Sequence, residues 1–81
     1  MLNQVILKGK VIEIFEDRFE IEISDTNDVV TIYGVNEDVI SMLLLNNVVS
    51  IKGHISTYQK VPFIVLDNLI ILDRRGKKNE R

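Results

Sequence analysis

The branched apolar residues of this chain fall into five strand-length runs separated by polar turn residues, and only one segment carries a helical period. Strands that are apolar on one face must bury that face against one another, so the pattern points to a sheet that stacks or closes on itself. From Val5 to Phe15, Val5, Leu7, Gly9 and Val11 share one parity, and Ile6, Lys8, Lys10, Ile12 and Ile14 share the other. Both parities turn apolar near Ile12, and Gly9 lies inside the run, so a bend or bulge is expected where the strand passes from one sheet to the next. Phe19, Ile21 and Ile23 alternate with Glu20, Glu22 and Ser24 as a half-buried second strand. Asp25-Thr26-Asn27-Asp28 supplies a hairpin loop, and Val29 to Gly34 is the third strand.

Asn36 is a good N-cap, and Glu37 and Asp38 suit the positive end of a helix dipole. Val39, Ile40, Leu43 and Leu44 then form one apolar stripe that Asn46-Asn47 closes, which predicts a helix of about three turns. Val48 to Tyr58 reads as strand four, Gln59-Lys60 as a turn, and Val61 to Leu72 as strand five, interrupted at Asp67-Asn68. Pro62 argues that this last strand begins at an edge. Three strands, a helix and two strands is the element order of an OB-fold barrel. The expectation is therefore an all-β protein, a five-stranded OB-fold barrel with one short helix between strands 3 and 4. Residues 1–73 make that domain, and residues 74–81 are expected as a basic, disordered C-terminal tail.

With 81 residues and no cysteine, the chain builds one small core without covalent support, and oligomerisation is the obvious remedy. A first strand apolar on both parities leaves Ile6, Ile12 or Ile14 exposed in a monomer, so a homodimer or homotetramer is expected to cover them. No apolar run reaches the roughly 18 residues that a membrane helix needs, and Met1-Leu2-Asn3-Gln4 lacks the pattern of a signal peptide. A cytoplasmic protein is expected. The net charge of −2 conceals an asymmetry: residues 73–81 hold five cations and two acids, which leaves −5 on the preceding 72 residues. A basic tail on an acidic body reads either as an interaction tail or as a solvated end.

Four segments resemble the bacterial single-stranded-DNA-binding protein family. These are the opening strand from Met1 to Val11, with an Asn ahead of a Val-rich run broken by Gly9; Val29-Val30-Thr31-Ile32-Tyr33-Gly34; and Val48 to Tyr58, followed by the close Leu69-Ile70-Ile71-Leu72-Asp73-Arg74-Arg75. The resemblance implies an OB fold, sequence-tolerant binding of single strands, and self-association. It also implies a base-stacking role for Tyr33, and a place for Tyr58 and Lys60 in the arm between strands four and five. The chain departs from the family in having no Trp, in its short loops, and in a short basic run where the family carries a long linker and acidic tip. A stripped-down relative fits these departures.

Single strands are held by cations along the phosphates and aromatic faces under the bases. Lys8 and Lys10 share one parity of strand one, and Lys52, His54, Tyr58 and Lys60 share one parity of strand four, so each set projects from a single face. Arg74 and Arg75 add charge at the tail. Phe63 is either a platform in the arm or a core residue, and Tyr33 is open to the same two readings. Glu20 and Glu22 would repel phosphates wherever their face meets them. His54 is the only histidine and there is no cysteine, so no metal site of usual type is expected. No nucleophile motif or phosphate-cradling loop is present, hence no enzyme class and no cofactor. Two functions stand side by side: non-catalytic binding of single-stranded DNA, with RNA open to the same stacking physics, or an OB domain whose edges pair with a partner protein.

Overall fold

The computed structural model describes residues 4–73, so Arg74, Arg75 and the rest of the basic run lie outside the described residues. The elements are β1 (Gln4–Ile14), β2 (Phe19–Ile23), β3 (Val29–Tyr33), α1 (Glu37–Met42), β4 (Val48–Tyr58) and β5 (Val61–Asp73). The strands form one sheet that closes on itself in the order β1-β2-β3-β5-β4, with the single short helix between β3 and β4. All neighbours run antiparallel except β3 and β5, which are parallel and share only the pairs Ile32↔Ile64 and Tyr33↔Val65. No helix among the described residues is long and apolar enough to cross a membrane.

Alternation along each strand decides what is buried. Val11 from β1, Phe19 and Ile21 from β2, Ile32 from β3 and Val49 and Ile51 from β4 form the core, joined by Val35 and Leu43 on either side of the helix. Ile64, Leu66, Leu69 and Ile71 of β5 pack against it. The register of β5 against β4 shifts between Lys52 and Gly53, next to the Asp67-Asn68 break. This shift is what lets Leu66 and Leu69, of opposite parity, face the same core.

The irregularity in β1 lies at Ile12, where the pairing with β2 shifts between Val11 and Glu13. Gly9 serves a different end: a Cβ there would stand 2.5 Å from the carbonyl oxygen of Glu22, so its bare backbone permits the close approach of β2. The bulge inverts the parity of the last residues of β1. It turns Ile14 against the core and leaves Ile12 half-buried, whereas Ile6, before the bulge, is 70% exposed. Of the three isoleucines expected on the surface, only Ile6 stands fully on it.

The helix is shorter than its apolar stripe implies. It holds six residues, Glu37–Met42, after the Asn36 cap, whose Oδ1 accepts from the Val39 N–H at 3.0 Å. Leu43 is already extended, at φ −81° and ψ 144°. Continuation would send the Leu44 N–H to the carbonyl of Ile40. Instead that N–H donates to Oδ1 of Asn47 at 2.8 Å, and the Ile40 carbonyl accepts from Leu43. A side-chain acceptor three residues ahead outcompetes the helical bond.

Candidate nucleic-acid interface

β4 and β5 are longer than the closed sheet requires. Among the described residues, pairing of β1 with β4 ends at Gln4↔His54 and pairing of β3 with β5 begins at Ile32↔Ile64, so residues 55–63 pair only within the β4–β5 hairpin. This arm closes at Tyr58↔Val61 through a two-residue turn, Gln59-Lys60. Both turn residues have positive φ, 53° and 69°, as the twist-matched hairpin turns demand. Because β3 and β5 join only through the last two residues of β3 and the fourth and fifth of β5, Val29–Thr31 and Val61–Phe63 diverge upstream of the junction and leave a wedge between them.

That wedge is a groove of about 740 Å³, walled by Val29, Thr31 and Tyr33 on one side and by Tyr58, Gln59 and Val61 through Ile64 on the other. Three aromatic residues singled out in the sequence, Tyr33, Tyr58 and Phe63, thus meet in one place. The Tyr33 and Phe63 rings lie edge to face, with centroids 5.7 Å apart and planes at 81°. Tyr33 is 40% exposed and Tyr58 is 68% exposed. Neither tyrosine is a core residue, and Phe63 is half-buried by its contact with Tyr33.

The cations are distributed differently. Register and alternate burial put Lys8, Lys10, Lys52 and His54 on the same outer face of the closed sheet as Tyr33, Tyr58 and Phe63. Yet Lys52 lies six residues before Tyr58 on β4, about 20 Å away at the rise of a strand. Lys8 pairs with Ser50, and Lys10 stands opposite both Val48 and Glu22. The carboxylate stripe on β2 therefore borders Lys10 on one side and, through Glu20 beside Thr31 and Glu22 beside Val29, the β3 wall of the groove on the other. His54 is paired with Asp67 of β5, with Nδ1 3.0 Å from both carboxylate oxygens. Lys60 follows Gln59 in the turn at the mouth of the groove and is not part of its lining.

Sequence reading did not single out Gln59, Thr31, Val29 and Val61, which complete the groove. The available signal was the eleven-residue run from Val48 to Tyr58, which contains no Pro, Asn or Asp and makes a strand longer than the sheet it joins. Among the described residues no group of three or more His, Cys, Asp or Glu side chains is placed to hold a metal ion. Comparison with models of known protein families and with curated proteins gives no match for this chain.

Proposed function

We propose that this chain is a small OB-type barrel that binds single-stranded nucleic acid, single-stranded DNA first, without catalysis and as a cytoplasmic homo-oligomer. The observation that carries the reading is the convergence of Tyr33, Tyr58 and Phe63 on one groove of the outer face. Exposed aromatic faces are what bases stack on, each stack contributing roughly 1 to 3 kcal/mol. A strand seated on them has Lys60 at its side, and Lys52, Lys8 and Lys10 further along the same face, for its phosphates. The element order and the closure of five strands with one intervening helix support the OB assignment. The resemblance of the opening, third and fourth strands to the bacterial single-stranded-DNA-binding proteins agrees with it.

Titration of labelled DNA and RNA oligomers, read by fluorescence anisotropy at low and physiological salt, tests this. Saturable binding of single strands in preference to duplex is the expected result. Negligible binding at both salt concentrations overturns it.

A second reading rests on Val29 and Val61, which are 55% and 63% exposed on the two lips of the groove. These flank strand edges that no other strand among the described residues covers, a setting in which an extended segment of a partner protein adds to a sheet. Pro62 counts against it, since it removes a backbone donor from the arm. Binding of oligomers separates the two readings directly.

A further inference from the structure

We infer that Gln59 reads the edges of bases held in the Tyr33–Tyr58–Phe63 groove, so that this site discriminates among bases instead of treating all single strands alike. The inference rests on the nucleic-acid reading above and adds to it a residue and a specificity.

None of the ten residues that line the groove carries a formal charge. A phosphate drawn inside would lose its hydration with no cation to replace it, a large penalty. The part of a single strand that fits is thus the uncharged base, while the backbone passes outside, where Lys60 stands. Of the polar groups in the lining, the hydroxyls of Thr31, Tyr33 and Tyr58 rotate and serve as donor or acceptor alike. Gln59 supplies the one side-chain amide, a donor and an acceptor fixed side by side. Base edges present donors and acceptors in the same adjacent fashion, and amides are among the side chains that pair with them in bidentate fashion.

The backbone supplies a second, independent observation. A two-residue hairpin turn with positive φ at both positions favours Asn-Gly, because a Cβ crowds the following carbonyl in the left-handed region. Here the positions are held by Gln59 at 53° and Lys60 at 69°. Neither residue is what hairpin stability selects. Disfavoured backbone conformations of this kind concentrate at ligand clamps, where the side chain is retained for what it contacts.

The test compares the native chain with Gln59→Gly, which removes the amide while relieving the turn. Binding of equal-length oligomers of dA, dC and dT is measured for each, with melting temperature recorded alongside. The native affinities should differ by roughly fivefold or more between the best and worst oligomer, the scale of one bidentate contact. In Gln59→Gly that spread should shrink to within about twofold, leaving the sequence-tolerant stacking, while the melting temperature rises. The ratio of affinities cancels any change in the folded fraction. An unchanged spread in Gln59→Gly, or no spread in the native chain, overturns the inference while leaving the nucleic-acid reading intact. Failure of the native chain to bind any of the three removes both.

Discussion

The Phe63 ring meets the Tyr33 ring edge-on at 5.7 Å, across the parallel junction that joins β5 to β3. The contact braces two rings on the outer face, and Tyr33 and Tyr58 both line the groove beside it. Stacking and bracing can be separated by substitution. Tyr58→Ala, at a residue 68% exposed, should weaken oligomer binding by roughly 1 to 3 kcal/mol and leave the unfolding midpoint within about 0.5 kcal/mol of the native value. Phe63→Ala should weaken binding and also destabilise the fold, since it removes the aromatic pair, worth roughly 0.5 to 1.5 kcal/mol. Equal loss of stability in the two variants would place Tyr58 in the packing and not in the site.

Asn47 is the only buried polar residue among those described, at 1% exposure. Its Oδ1 accepts from the Leu44 N–H at 2.8 Å and its Nδ2 donates to the Asp73 carbonyl at 3.2 Å. Its backbone carbonyl accepts from the Val11 N–H at 2.9 Å, beside the β1 bulge. One side chain thus ties the loop after the helix to the end of β5, at the point where its own backbone grips β1. Asn47→Ala should cost about 2 to 3 kcal/mol in denaturant unfolding, because the part-buried Leu44 N–H loses its acceptor where the Asn47 side chain had been buried. A cost below about 0.5 kcal/mol would show that water enters and replaces the amide.

Self-association should run through Ile6, the most exposed large apolar side chain described, at 70%. Pairing of β1 with β2 begins at Gly9, and the Lys8 carbonyl accepts from the Ser24 N–H at 3.1 Å, so among the described residues the edge of Gln4–Leu7 away from β4 is not covered by another strand. An uncovered edge carrying an exposed isoleucine is a template for another copy. Sedimentation of the native chain at micromolar concentration should give a dimer or larger species, and Ile6→Lys a monomer with an unchanged circular-dichroism spectrum. A native chain that sediments as a monomer removes the oligomer from the proposal.

Binding to single strands should depend only modestly on salt. At about 0.7 per phosphate contact, the few cations on the outer face correspond to a log–log slope of around 2 to 4. Lys52→Ala should lower the slope by about one contact and weaken binding to every sequence alike. His54→Ala should change it less, because His54 is already engaged with Asp67. A slope that does not respond to Lys52 would confine the bound strand to the arm.

Much of this fold is legible in the order of side chains. The limits of β4, the alternation of Phe19, Ile21 and Ile23 with glutamates, and the Asn36 cap follow from local rules of period and capping, which act within a few residues. The same rules overextend the helix, because they do not register that a side chain at Asn47 claims the Leu44 N–H. They also put Ile14 on the surface, because parity carries no information across a bulge whose position is set by the partner strand. The aromatic residues of the candidate site could be named from sequence, but not their meeting. Tyr33 and Phe63 lie thirty residues apart. They touch only because β3 and β5 pair in parallel over two residues and part upstream, and pairing between distant strands is settled by the closure of the whole sheet. By itself the sequence determined the strands, the turns and the identity of the rings. The tertiary structure decided that the rings share one uncharged groove and that Lys8, Lys10 and Lys52 lie at a distance from it, since both depend on the register of strands far apart in the chain.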